Sequence, residues 1–147
     1  MSAVNATMSK FGYPASLVAD YAHWVVLLRP QQVTLGALVL VCKEAVTSFG
    51  ALSPAAGAEL VAVGKDIEQA LRAAFNHDKI NYLMLMMVDP DVHFHVLPRY
   101  ADTRTCAGQA FTDVAWPGPP RLNEFNATDA AANDAIRAAV RAHWPTP

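Results

Sequence analysis

Charge is scarce in this 147-residue chain: Lys, Arg, Asp and Glu make up 16% of it, and the formal balance is −2. Without a basic excess, attachment to a nucleic-acid backbone has no electrostatic driving force. Any anionic ligand would have to be held by a few local charges. Cysteine is scarcer still. Cys42 and Cys106 are the two present, and they form no C-x-x-C pair, so reduced thiols are expected. No apolar run reaches the ~20 residues that a membrane-spanning helix needs. No basic stretch leads into an apolar core and a small-residue cleavage site near the start of the chain. The expectation is a cytoplasmic protein with neither membrane nor nucleic acid as partner. Internal repeats and low-complexity linkers are also lacking.

Apolar residues are abundant, at 53%, enough for a single domain over residues 1–147. Residues 1–14, small and polar with Gly12 and Pro14, read as a loosely held arm. Ser16–Asp20 and Ala22–Leu28 read as strands, the second rich in β formers. Arg29–Thr34 is a loop, and Leu35–Cys42 a third, buried strand. Gly36 suggests close approach of the backbone to a ligand or another chain. Ser53-Pro54 starts a helix, Ser as cap and Pro where its missing donor costs nothing. Leu60, Val63, Ile67, Leu71 and Phe75 recur at spacings of three and four, so one apolar stripe runs to about Asn76. His77 and His143 sit at helix ends, where an imidazolium suits the dipole.

Residues 101–147 form a C-terminal extension. Thr103–Gly108 is polar and small. Asp113–Pro120 cannot be regular, since three of its eight residues are Pro, and it reads as an excursion pinned by Trp116. Asn126 is expected to cap a final helix with Asp129 as partner. Ile136, Val140 and Trp144 give that helix its stripe, and Pro145 stops it.

The stretch Asn81–Tyr100 organises the rest. Asn81–Val88 is an almost unbroken apolar run, read as a strand buried on both faces. Met84, Met86 and Met87 within it read as core filling. Asp89-Pro90 punctuates a tight turn. Val92–Leu97 then alternates, which puts Asp91, His93, His95 and Leu97 on one strand face and Val92, Phe94 and Val96 on the other. The polar set would line an open face.

The motif VHFHVLPRY resembles the signature of the histidine triad family, His-x-His-x-His followed in many members by Pro-Arg. On this alignment His93 is the middle histidine, His95 the third, and Asp91 stands in place of the first. Residues 29–41 resemble the family's upstream loop and strand, so the likeness covers roughly residues 17–100. The resemblance implies an α+β fold, with an antiparallel sheet of about five strands, one long helix across it and a C-terminal helix. It implies a homodimer. It also implies a nucleotide hydrolase or nucleotidyl transferase acting at the α-phosphorus of dinucleoside polyphosphates or nucleoside phosphoramidates. His93 would be the nucleophile, and His95 would support it by donating to the phosphoryl oxygens.

Departures from the pattern accompany the likeness. Ala37 stands where the family has a histidine after Gly, and Arg29 where some members have asparagine. The Gly-rich phosphate loop is missing. Asp91, Arg29 and Arg99 are the candidate substrate contacts, the guanidiniums because their fork suits phosphate. The Asp91 carboxylate would either repel phosphate or orient a neighbouring imidazole. No cofactor is required, and a Mg²⁺ ion, if one takes part, arrives with the nucleotide. The competing readings are a catalytically weak nucleotide-binding protein acting through a partner and a metal-dependent protein. The second is disfavoured, because same-face strand neighbours about 7 Å apart rarely converge on one ion.

Overall fold

The structure, a computed structural model, describes residues 4–145. Its centre is a five-stranded antiparallel sheet of β1 (Leu17–Asp20), β2 (Trp24–Leu28), β3 (Leu38–Cys42), β4 (Lys79–Leu83) and β5 (His93–Arg99), ordered β1-β2-β3-β5-β4. This is the α+β arrangement expected. Strands β2 and β3 are buried along their whole length, so they read as unbroken apolar runs. Trp24, Val26, Leu28, Leu38 and Leu40 belong to the core under the long helix. Val25, Leu27, Val39 and Val41 pack in a separate cluster on the opposite face.

The long helix, α2 (Pro54–Phe75), starts where the Ser53 hydroxyl accepts from the Ala56 N–H at 3.1 Å. Val63, Ile67 and Leu71 of its stripe are buried, with Leu60 and Phe75 flanking them. Asn76 closes it at φ 50°, the left-handed conformation that ends many helices. Gly36 has φ +84°, and a Cβ there would lie 3.0 Å from carbons of the Phe75 ring. The close approach read from Gly36 is therefore to the chain's own helix, not to a ligand or a second chain.

Three segments differ from expectation. Residues 4–14 are not a loose arm. They form a short helix, α1 (Ala6–Lys10), and a turn that lie on the sheet. Asn5 caps α1 by accepting from the Met8 N–H at 2.9 Å, and its amide donates to the Cys42 carbonyl at 3.0 Å. Met8 and Phe11 are buried against Val25, Leu27, Val39 and Val41. The sheet's second face is as apolar as its first, and α1 is its cover.

The run Asn81–Val88 is not a doubly buried strand. Strand β4 ends at Leu83, paired with His95, and residues 84–92 form a loop in place of a tight turn. Because β4 is the sheet's outer strand, half of its neighbours are missing. Met86 takes φ 53°, outside any strand geometry. Met87 is 86% exposed, so core filling does not describe that methionine.

The C-terminal extension holds more structure than its composition suggests. A hairpin of β6 (Arg104–Cys106) and β7 (Gln109–Phe111) turns through Ala107 and Gly108, both at positive φ. The last helix, α3 (Ala130–Ala142), is capped by Asp129, whose carboxylate accepts from the Ala132 N–H at 2.8 Å. Asn126 does not cap it; it bonds back to the Gln32 carbonyl through its N–H at 2.9 Å. The stripe is as expected, with Ile136 and Val140 buried and Trp144 partly so. Residues 1–3 of the arm and 146–147 of the extension lie outside the described residues. His77 is buried, and burial, with Arg72 nearby, pushes its imidazole toward the neutral form. A charged partner for the helix dipole is therefore not its role.

Candidate functional site

Strand β5 pairs with β3 so that His93 faces Val41 and His95 faces Val39, with Leu83 across from His95 on the other side. Alternation puts both rings on the face opposite α2. That face is largely covered. Met8 and Phe11 cover it, and His93 and His95 expose 2% and 7% of their surface. The two rings lie 5.2 Å apart at 84°. The Phe11 ring stands edge-on to His95 at 5.8 Å and lies 6.4 Å from His93.

The surroundings select one neutral tautomer for each imidazole. His93 Nδ1 lies 2.7 Å from the Asp91 carbonyl oxygen. A carbonyl can only accept, so Nδ1 carries the proton and the neutral ring keeps its lone pair on Nε2. In His95, burial lowers the pKa to about 4, helped by Arg29, His93 and Lys10 and opposed by Asp89. This ring is neutral near pH 7. Its Nδ1 is buried without a partner, where an N–H would be an orphaned donor. The proton therefore sits on Nε2.

Both rings form the floor of a cavity of about 240 Å³. Leu85, Met86, Met87 and Val88 of the loop, Phe11 of the N-terminal segment and Leu122 of the extension make its apolar walls. Arg29 and Lys10 bring positive charge. Arg29 is buried, donates Nη1 to the Gln31 carbonyl at 2.8 Å, and has no partner for Nε. Burial lowers its pKa, but a guanidinium remains a cation at neutral pH. Lys10 Nζ bonds both carboxylate oxygens of Asp89 at 2.9 Å. Asp89 lines the cavity too and offsets Lys10, so Arg29 and the His95 N–H are the donors left for an anion.

Two expected substrate contacts lie elsewhere. Asp91 does not line the cavity; its Oδ2 accepts from the Thr7 hydroxyl at 2.9 Å and the Thr7 N–H at 3.3 Å. Its carboxylate therefore faces α1, which opposes both the repulsion and the imidazole-orienting roles. Arg99 is 4% exposed, and Asp113 takes its Nε and Nη2. Nη1 donates to the Asn81 Oδ1, and Nη2 donates to the Gly118 carbonyl as well. Arg99 thus anchors the 113–120 excursion, with Asp113 rather than Trp116 as the pin. Among the described residues, no three His, Cys, Asp or Glu side chains are grouped to hold a metal ion.

Lys10, Phe11, Leu122, Gln31, Asp89 and the loop residues Leu85 to Val88 are lining residues that sequence reasoning did not assign to a site. The signal for the first two was present: Asn5 as cap, then Thr7, Met8 and Phe11 on one side of a short helix. For Leu122 there was none.

The fold and the paired imidazoles define a class of protein. It is an antiparallel α+β sheet crossed by one helix, with a His-x-His pair on an inner strand facing a small basic cavity. The HIT domain model matches residues 12–102, and the chain belongs to the histidine triad family. Members of this family are in general nucleotide-binding hydrolases and transferases. Among solved structures, the histidine triad protein of Sinorhizobium meliloti superposes with a TM-score of 0.76 at 18% identity, over 97% of each chain. That of Bradyrhizobium japonicum does so at 0.76 and 19%, over 97% of this chain and 98% of its own. A histidine triad protein of Marinobacter aquaeolei gives 0.76 at 17%, over 98% and 96%. No curated protein sequence matches the chain.

Proposed function

We propose that the protein is a nucleotide hydrolase or nucleotidyl transferase acting at an α-phosphorus, with His93 as nucleophile. The observation that carries this reading is the fixed tautomer of His93, whose Nδ1–H is held by the Asp91 carbonyl at 2.7 Å. The lone pair of Nε2 attacks phosphorus, and a P–N bond forms as the bond to the leaving group breaks. The leaving group departs with the bonding electron pair and takes a proton from solvent. Water then attacks the same phosphorus, gives a proton to solvent, releases the nucleoside monophosphate and returns the electron pair to His93. Arg29 and the Nε2–H of His95 meet the charge on the phosphoryl oxygens. Dinucleoside polyphosphates and nucleoside phosphoramidates are the substrates we propose. The mechanism needs no cofactor, and any Mg²⁺ comes with the nucleotide.

On the family alignment Asp91 stands at the first histidine of the triad. A second copy of the chain is the partner we propose for the open edge of β4. There Tyr82 is exposed over Gly64 and Glu68 of α2, and Val61, one turn away, is exposed too.

The test is incubation with diadenosine polyphosphates and AMP-amine conjugates, followed by assay of released AMP and of adenylylated protein. We expect AMP, and an adduct that His93→Ala loses. His95→Ala is expected to slow the reaction while leaving the adduct detectable. An adduct in His93→Ala would overturn the assignment of the nucleophile. AMP binding without release would leave a nucleotide-binding protein and overturn the enzyme.

A further inference from the structure

Asp91 makes two kinds of contact at once. Its carbonyl oxygen takes the His93 Nδ1–H at 2.7 Å. Its carboxylate, as the acceptor for the backbone and hydroxyl of Thr7, ties down α1. Thr7 is buried, so this bond is shielded from water. One turn further along, the same segment presents Phe11 edge-on to His95 at 5.8 Å and Lys10 to Asp89 at 2.9 Å. The N-terminal segment is therefore a wall of the histidine cavity, and one residue links it to the strand that carries the histidines.

We infer that Asp91 is a positioning residue that acts through Thr7, holding Phe11 as the wall that keeps water from His95 while its carbonyl sets the His93 tautomer. Its relevance to turnover rests on the function proposed above, but the wall itself does not. Loss of the Thr7 bond lets the segment lift, and water then reaches His95. Arg29 from the β2–β3 loop, His93 from its own strand, Asp89 from the 84–92 loop and Lys10 from α1 are the charged or titratable groups facing that ring. Of these, Lys10 and Asp89 separate when the segment lifts, and Arg29 and His93 stay.

NMR titration of the histidine rings tests this without any substrate. The proteins are the wild type, Asp91→Asn, Asp91→Ala, Thr7→Val and the double variant Thr7→Val/Asp91→Ala. The pKa of His95 is expected to rise by about one unit or more in Asp91→Ala, and by less in Thr7→Val. Thr7→Val removes the hydroxyl bond and keeps the backbone N–H one, so the double variant should rise no further than Asp91→Ala, which breaks both. Asp91→Asn keeps an acceptor for Thr7 and should stay near wild type. A purely structural loss lowers the melting temperature without moving that pKa. An unmoved His95 in folded Asp91→Ala overturns the inference, as does a double variant whose shift is the sum of the two. The adduct assay on the same proteins separates the two ideas. A moved pKa with no adduct in the wild type keeps the wall and refutes the enzyme. An adduct in the wild type with an unmoved His95 does the reverse.

Discussion

Arg99→Met should unfold the protein more readily and leave the histidine cavity's chemistry alone. The guanidinium makes four bonds: to Asp113 at 2.6 and 3.0 Å, to Asn81 at 2.7 Å and to the Gly118 carbonyl at 2.9 Å. The side chains of Arg99 and Asp113 are 4% and 2% exposed. After the substitution Asp113 keeps the Tyr100 N–H at 3.2 Å as its backbone partner and is a buried carboxylate without a cation. Breaking one side of a buried pair costs about 3–5 kcal/mol. Whole domains are held by only about 5–15 kcal/mol. At about 2–4 °C per kcal/mol for a chain of this size, the melting temperature should fall by about 6–20 °C. Urea unfolding followed by circular dichroism measures the loss, with an unchanged slope marking a change in stability alone. Arg99→Met/Asp113→Leu should recover most of it, because no lone charge is then left inside. The reasoning is refuted if Arg99→Met unfolds within about 1 kcal/mol of wild type while losing affinity for AMP. Arg99 would then be the substrate contact that its place after Pro98 first suggested.

Stability should also depend on pH through His95. Its folded pKa, about 4, lies below the ordinary 6.5, so the unfolded chain binds the proton more readily. The neutral ring's contribution is complete above about pH 6.5 and is lost as pH falls toward 4. His95→Gln should flatten the melting temperature in that window, and an equally steep dependence in the variant would show that another group is responsible. Light scattering on the order of tens of micromolar should give a dimer, and Val61→Asp a monomer. A monomeric wild type would remove the second copy from the edge of β4.

The parts of this fold that could be read in the chain are those whose pattern is local. The α2 stripe and its Ser53-Pro54 start depend only on spacing and caps. The alternation from Val92 to Leu97 placed His93 and His95 on one face. What could not be read depends on which surfaces meet. An apolar run such as Asn81–Val88 looks the same whether two strands flank it or one, and its position at the sheet edge decided the outcome. The residues around Phe11 looked like an arm because α1 is too short to show a period. Their order comes from the apolar face of β2 and β3, which had to be covered by something. Arg99 looked like a phosphate ligand because its partner Asp113 comes 14 residues later, in a stretch with no regular pattern.

The tie between Asn126 and the Arg29–Thr34 loop bears on how the protein is made. Asn126 bonds the carbonyls of Gln32 and Val33, and Asn133 bonds that of Pro30, so the last fifth of the chain secures the loop bearing Arg29. Leu122 reaches the cavity from the same late segment, and Lys10 and Phe11 reach it from residues before the matched span of 12–102. A ribosome therefore releases the sheet and both histidines well before the cavity can close. A fragment cut to the matched span would carry both histidines and lack Lys10, Phe11 and Leu122 of the cavity and both asparagine ties. The segment that identifies the family is thus shorter than the unit that must be synthesised before the site exists.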